Sequence, residues 1–444
     1  MNASQRIAAL LLCVVWATEI VRMLHPFPFL AGVGAACLGA FTLIAWLRSS
    51  RHIQVLLAVA LTISAAMAWS AGSAGAMADG FARAVVFGAF MPSVLLLRAT
   101  VESSPRIERV HADLGRMDHA QAQNWTLYGS HALGSVLNVG AAAILAPLVT
   151  RDADGRRRAE LAAASARGVA MGAMWSPFFL SVAFTTQLAP HVPMWQVVGI
   201  GIATALLGFA ASQAVITPRL RWRAFHGSIA GLAPLAAPSA IIVGAVVGAS
   251  IVFHWSGLQA VVLVVPLLCA AYLARLGPLG TGLVARRAFA SLGRVADELV
   301  IVVGGTVLGA VVGSMPAVRE LGASVTPQMI SGPAVIAAMV AIMVLLGNLG
   351  LHPIVASSVM VPVVVVGDFG VTDLVAVSSA VFAWGLNGGL SIWSLPMAMS
   401  AAYFGVPTPR LISRRGLLYI FVLGVAGVVL LSAINAALLS LGSS

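Results

Sequence analysis

Apolar runs long enough to cross a lipid bilayer recur from one end of the chain to the other. A helix needs about 20 mostly apolar residues to cross the hydrocarbon core. Such runs lie at 7–24, 27–47, 53–71, 80–98, 162–189, 192–215, 228–253, 257–274, 295–315, 374–404 and 416–440. Only 9% of the residues are charged, whereas soluble domains carry about 25%. We therefore predict an all-α polytopic membrane protein of about eleven transmembrane helices, with the lipid bilayer as the solvent of its outer surface.

The placement of arginine orients these helices. All 25 basic residues are Arg, and the net charge is +11. Most of them cluster at 48–51, 98–116, 151–158, 219–223, 275–294 and 410–415. Positively charged loops stay in the cytoplasm, so this pattern places the clusters and the N-terminus inside. Only Arg22, Arg83 and Arg319 then fall elsewhere. The charge indicates topology rather than nucleic-acid binding, and the lysine-free, Ala- and Gly-rich composition is typical of a bacterial protein, here of the inner membrane.

The first apolar run also resembles the core of a signal peptide, because Arg6 precedes it. However, no small-x-small cleavage site follows, and Glu19 and Arg22 come next. We therefore expect this run to be a retained first helix.

A further apolar stretch, 127–149, does not fit a single crossing. It lies between two Arg-rich loops, 98–116 and 151–158, that both belong in the cytoplasm. We expect it to enter from the cytoplasm as a re-entrant hairpin and to turn back at Gly134, Asn138 and Gly140. Irregular backbone at this depth is tolerated only where it is buried in protein or lines an aqueous cavity.

A second stretch, 332–366, has the opposite setting. It is interrupted by the run from Gly347 to Pro353 and lies between an outside loop near Arg319 and an Arg-free loop. We expect it to enter from outside, so that the two re-entrant hairpins oppose each other.

The two halves of the chain match weakly in sequence. Residues 137–147 align with 352–362, and Trp175-Ser176-Pro177 corresponds to Trp393-Ser394-Leu395-Pro396. Paired Gly- and Pro-interrupted segments at corresponding positions are the best sequence indication of a transporter binding site. The predicted organisation is a first helix (1–26), repeat 1 (27–215, broken helix 162–189), a cytoplasmic linker (216–227) and an inverted repeat 2 (228–444, broken helix 374–404).

In this order of elements the chain resembles the ion transporter superfamily, and most of all the divalent anion/sodium symporter family. The resemblance covers the whole chain in topology, but in sequence only the hairpins and broken helices. It implies an elevator-type movement of a transport domain against a scaffold domain, and a homodimer.

The family fingerprint is Ser-Asn-Thr at each hairpin tip, with a proline nine residues after the Asn. Asn138 has Pro147 at this spacing, but its neighbours are Leu137 and Val139. In the second hairpin His352-Pro353-Ile354 stands before Pro362. The hydroxyl groups that the family uses for carboxylate and ion are therefore absent from both tips.

Candidate substrate-binding residues lie at the tips and helix breaks, where free amides attract anions and free carbonyls attract cations. They are Ser135, Asn138, Asn348, His352, Ser176, Asn387, Ser391 and Ser394. The coupling ion, Na⁺ or H⁺, is expected at Asn138, Gly140, Asn348 and Gly388. The competing interpretations are a turn residue for Asn138, a hydrogen bond to a hairpin carbonyl for His352, and bonding of Ser135 to its own helix.

Other polar side chains have plainer interpretations. We expect Trp175 and Trp393 to be packing residues and His131 to be a neutral, hydrogen-bonded ring. Arg83 is expected to snorkel toward the membrane interface. Positions near the membrane interface explain the carboxylates Glu19, Asp79, Asp297 and Glu298.

The leading hypothesis is a secondary active transporter for a small organic anion, coupled to Na⁺ or H⁺. The alternative is an ion-coupled exporter of a drug or an inorganic anion. An intramembrane enzyme would need a convergent catalytic set, and the sequence offers no H-E-x-x-H, no Walker loop and no catalytic cysteine. We accordingly predict no catalytic residue, no metal and no cofactor besides the coupling ion. An intramembrane enzyme and a channel stay as less favoured alternatives, although a channel has no reason to carry inverted broken repeats.

Overall fold

The computed structural model describes residues 2–25, 27–103, 119–149, 154–218, 232–293, 295–324 and 330–442, and in these ranges the regular secondary structure is helical throughout. The helices of the first half are α1 (Ala3–Leu24), α2 (Pro28–Arg48), α3 (Arg51–Ser70), α4 (Gly75–Glu102), α5 (His119–Leu137), α6 (Gly140–Val149), α7 (Gly155–Gly172), α8 (Leu180–Leu188) and α9 (Met194–Val215). Those of the second half are α10 (Ala233–Val252), α11 (Gly257–Leu273), α12 (Gly277–Leu292), α13 (Ala296–Ser314), α14 (Pro316–Ser324), α15 (Gly332–Asn348), α16 (Pro353–Gly367), α17 (Asp373–Leu390), α18 (Leu395–Phe404) and α19 (Arg414–Gly442).

Eight of the described segments are long and apolar enough to cross a membrane: α1, α2, α3, α4, α9, α13, the interrupted pair α17–α18, and α19. Helix α19 shows why these segments need lipid. Phe421, Val425 and Val429 are 68%, 50% and 62% exposed along one side of the helix, whereas Leu423 and Leu431 are buried. This apolar outer stripe has the period of a helix. The prediction of a polytopic, all-α membrane protein is confirmed at this level.

The predicted apolar runs agree with the helices to within a few residues, but two helices were not predicted. Residues 277–292, inside an expected Arg-rich connection, form α12, and 316–324 form α14. Both begin with a proline in the first turn, where its missing N–H costs nothing. The linker 216–227 and the Arg clusters at 98–116, 151–158 and 219–223 lie wholly or partly outside the described residues.

Most of the helices pack in two groups, and α10 contacts both of them. Helices α1 to α4 pack with α11, α12 and α13, whereas α5 to α9 pack with α15 to α19. The groups meet mainly where α13 runs against α16. Glycine allows the close approach there, because a Cβ on Gly305 would overlap Ile354 of α16 and would lie 3.0 Å from Phe184 Cζ of α8. The second group contains all the predicted hairpins and helix breaks.

Candidate functional site

Hairpin 1 consists of α5 and α6, joined by Asn138 and Val139. Asn138 has a φ of +55°, and its Oδ1 accepts a hydrogen bond from Val139 N at 2.8 Å. Gly129 of α5 lies beside Leu145 of α6, since a Cβ on Gly129 would be 3.5 Å from Leu145 Cδ1. These two residues precede and follow the turn by similar distances, so the helices run antiparallel and form a helical hairpin.

Hairpin 2 consists of α15 and α16, joined by 349–352 with Gly350 at a φ of +91°. The far ends of the two helices meet, because a Cβ on Gly332 would lie 2.6 Å from the carbonyl oxygen of Gly370. Asn435 of α19 holds this end: its Nδ2 donates to Gly370 O at 2.9 Å, and its Oδ1 accepts from Thr372 N at 2.8 Å. Hairpin 2 therefore also turns back on itself.

The tip of hairpin 1 is attached to the break between α7 and α8. Ser176 Oγ donates a short hydrogen bond to Ser135 O, in the last turn of α5, and accepts one from Phe178 N at 3.3 Å. Carbonyl groups in the last turn of a helix lack intrahelical donors. The broken helix thus supplies the donor that the hairpin tip lacks.

The tip of hairpin 2 is attached to the break between α17 and α18 in the same way. Ser391 Oγ donates to Gly347 O at 2.9 Å and accepts from Trp393 N at 3.3 Å. The backbone bonds also agree, since Ser176 N–Gly172 O and Ser391 N–Asn387 O are both 2.9 Å. Ser176 therefore corresponds to Ser391, three residues before the Ser394 that the Trp-Ser alignment suggested.

The two broken helices lie side by side. Ala170 of α7 packs against Gly388 and Gly389 of α17, and Met174 packs against Gly385. Residue numbers rise along α7 as they fall along α17, so the helices run antiparallel at their broken ends. This crossing brings the two breaks, each with its hairpin tip, into one region.

On the hairpin 2 side, Asn348 and Asn387 hydrogen-bond to each other, and the other predicted residues bond to nearby backbone. Asn387 Nδ2 donates to Met343 O at 3.0 Å, and Asn387 Oδ1 accepts from Asn348 Nδ2 at 3.4 Å. Ser394 Oγ donates to Gly388 O at 3.2 Å. His352 caps α16, because its Nδ1 accepts from Ile354 N at 3.2 Å. The expected bond from His352 to a hairpin carbonyl is thus replaced by one from an amide.

On the hairpin 1 side, Ser135 Oγ donates to Ala132 O at 2.9 Å, which is the bonding to its own helix. Gly140 begins α6 beside Arg98, and a Cβ on Gly140 would lie 3.0 Å from Arg98 Cζ. Arg98 also pairs with Glu102 at 2.7 Å, so an ion pair lies beside Gly140.

The remaining polar residues differ in part from their predicted settings. Trp175 packs against His131, with 5.7 Å between ring centroids, but Trp393 is 68% exposed. The buried Nδ1 of His131 has no hydrogen-bond partner among the described residues. Glu19 is buried near the end of α1 and forms a 2.8 Å ion pair with Arg22.

Arg167 is the residue that sequence reasoning missed. It was counted with the cytoplasmic arginines, yet it lies in α7, five residues before the end of that helix, and is only 7% exposed. Its guanidinium lies 5.8 Å from the centroid of the Tyr419 ring, and its buried Nε has no hydrogen-bond partner in the described part of the chain. The sequence did indicate Arg167, because it lies inside the apolar run 162–189 and an arginine within a membrane-spanning segment is a functional candidate by default.

A comparison with protein-family models finds no match, and a comparison with curated proteins finds no similar sequence.

Proposed function

We propose that this chain is a secondary active transporter that moves a small organic anion across the bacterial inner membrane, coupled to Na⁺ or H⁺. The observation that carries the proposal is the repeated unit of hairpin and broken helix. In both units a serine hydroxyl at the break binds the carbonyl of a hairpin tip, and the two broken helices run antiparallel. Helix breaks of this kind leave amides and carbonyls without helical partners, and these groups suit an anion and a cation.

In this proposal the two units form an inverted repeat, and the hairpins are re-entrant from opposite faces of the membrane. The antiparallel crossing of α7 and α17 supports inversion, because inverted copies run in opposite directions. The proposed substrate site lies between the tips and breaks and includes Ser135, Asn138, Ser176, Asn348, His352, Asn387, Ser391 and Ser394. The coupling ion binds at Asn138, Gly140, Asn348 and Gly388.

The proposed movement is an elevator-type displacement of α5–α9 with α15–α19 against α1–α4 with α11–α13. The packing into two groups that meet along α13 and α16 supports this division. By the resemblance to the anion symporters, the scaffold group also forms a homodimer. We assign the N-terminus to the cytoplasm from the arginine pattern.

Flux through proteoliposomes tests the proposal. The purified protein is reconstituted, and uptake of labelled acetate, succinate, citrate and sulfate is measured under imposed Na⁺ and H⁺ gradients. We expect accumulation of at least one of these anions that needs an inward ion gradient and is lost with Asn387→Ala. Movement of none of them under any gradient would contradict anion symport. Movement only outward, in exchange for entering ions, would favour the exporter.

A further inference from the structure

Arg167 is a cation whose surroundings in the described chain do not neutralise it. Helices α5, α17 and α18 pack against α7, and Tyr419 of α19 lies near Arg167. The nearest carboxylates in sequence are engaged elsewhere: Glu160 pairs with Arg156 at 3.2 Å, and Asp154 caps the start of α7. Asp373, at the far end of α17, pairs with His191 at 2.5 Å. None of these described carboxylates lies within ion-pair distance of Arg167.

Tyr419 is the one described ring stacked near this guanidinium, at 5.8 Å from its centroid. A cation–π contact offsets only part of the cost of burying a charge. Burying a charge without a partner costs several kcal/mol even after the protein relaxes. The contact with Tyr419 therefore does not offset the burial of Arg167, and an anion is the partner that would.

The guanidinium faces a place where such an anion can enter. Arg167 lines a narrow cleft with Gly389 and Leu390 of α17, Met397 of α18, and Ser413 and Gly416 at the start of α19. In this conformation the cleft has room for little more than a water molecule, so a ligand must part its walls. Gly389 and Leu390 end the broken helix α17, which ties the cleft to the crossing of the two repeats.

The mouth of the cleft carries positive charge. Ser413 stands next to the exposed Arg414 and Arg415, and Arg410 lies near the start of α7 beside Gly155. Clefts lined by one sign of charge raise the local concentration of the opposite ion. An anion is therefore drawn to the same end of α7 and α19 that leads to Arg167.

We infer that Arg167 binds the carboxylate or other oxyanion group of a ligand that enters between α17 and α19 from the arginine-rich side. The inference rests on the proposed function for the identity of the ligand as the transported substrate, but the anion site itself is testable without transport. A guanidinium suits this role, because its fork of N–H groups binds a carboxylate through two parallel hydrogen bonds.

Thermal unfolding of the purified protein in phosphatidylcholine nanodiscs tests the inference. Acetate, succinate, sulfate and phosphate are each compared with chloride at equal ionic strength. We expect at least one oxyanion to raise the unfolding midpoint of the wild type by a few degrees, since a ligand that binds only the folded state stabilises it. Arg167→Gln should abolish the rise, and Arg167→Lys should weaken the affinity roughly tenfold.

Arg83→Gln is the matched control. Arg83 lines a separate cleft with Gln187 and Thr306, so this variant removes one charge and should keep the full response. A wild type that responds to none of the four anions, or a response retained in Arg167→Gln, would overturn the inference. So would a stabilisation that depends on Arg167 but appears only when phosphatidylglycerol is added, because the ligand would then be a lipid headgroup.

The unfolding midpoint of ligand-free Arg167→Met distinguishes a ligand-binding role of Arg167 from a role in folding. If Arg167 serves a ligand, the removal of its unpaired buried charge should leave the unfolding midpoint equal to or above that of the wild type. A fall of several degrees would mean that Arg167 serves the fold and would contradict the inference. Anion binding that depends on Arg167 without any flux would refute transport and leave the anion site standing.

Discussion

At the scale of single residues, the two helix breaks depend on one serine hydroxyl each. Ser176 and Ser391 share the three hydrogen bonds described above, although their sequence neighbours differ. Each hydroxyl donates to a carbonyl in the last turn of a hairpin helix, and Gly347 O also accepts from Gly350 N at 3.3 Å. One such hydrogen bond contributes about 0.5–1.5 kcal/mol, so each serine helps to hold its hairpin tip against its broken helix.

Removal of the second of these hydroxyls should destabilise the protein. Ser391→Ala leaves Gly347 O without the 2.9 Å bond, and we expect a loss of about 1 kcal/mol and a lower unfolding midpoint. Ser378→Ala is the control in the same helix, because Ser378 Oγ is buried without a partner in the described structure. That change should be neutral or stabilising. Equal losses for the two variants would refute the role of Ser391.

The sequence predicted individual turn residues well and their bonds poorly. Asn138 was expected in a turn because Asn tolerates a positive φ, and it has a φ of +55°. Ser391 was named as a candidate, but its acceptor, Gly347, lies 44 positions away in the chain. Only the folded hairpin brings them together. Arg167 escaped notice because its short distance from Arg156–Arg158 made it look like part of a topology signal.

At the scale of helices, glycine sets how closely the hairpins approach the broken helices. A Cβ on Gly168 of α7 would overlap the carbonyl of Leu127 and would lie 2.9 Å from Ser130 Cβ of α5. Backbone cannot move aside as a flexible side chain can, so this contact fixes the spacing between α5 and α7. Close approach through small residues is the main means by which helices associate within membranes.

Gly168→Ala should therefore destabilise the protein by about 1–3 kcal/mol, because it overpacks this contact. Gly199→Ala is the matched control, since Gly199 is also helical and a Cβ there would have nothing within 4 Å. We expect that variant to be neutral or slightly stabilising, as Ala is the better helix former. Thermal unfolding of both in nanodiscs measures the difference, and an unchanged midpoint for Gly168→Ala would contradict the close packing of α5 on α7.

Helix positions followed from the sequence, because an apolar run of spanning length has few other structures available to it. The helices α12 and α14 were missed for the same reason, since neither is a long apolar run. Arg286 and Arg287 made α12 look like a loop. The packing neighbours of each helix could not be predicted, because the sequence of a helix that is apolar on every side does not indicate which other helix it contacts.

At the scale of the whole molecule, the proposed transport site requires two copies of one unit that run in opposite directions. The prolines and Trp-Ser steps of the sequence suggested these two copies. However, the alignment of the copies was displaced by three residues at the second helix break. The hydrogen bonds show that Ser176 corresponds to Ser391, because the two breaks have the same backbone geometry although their neighbouring side chains differ. The orientation is a prediction from the sequence alone, through the distribution of arginine between successive connections.

Thiol labelling of the four hairpin flanks tests whether the two hairpins are re-entrant from opposite faces of the membrane, and it needs no substrate. Single cysteines replace Glu102, Gly155, Ser331 and Asp368, all of them exposed, in a chain without Cys13, Cys37 and Cys269. We predict that a membrane-impermeant maleimide labels 331 and 368 in intact cells, and labels 102 and 155 only after permeabilisation. Labelling of the two flanks of one hairpin from opposite sides would show that the segment crosses the membrane, and would contradict the opposed re-entrant hairpins.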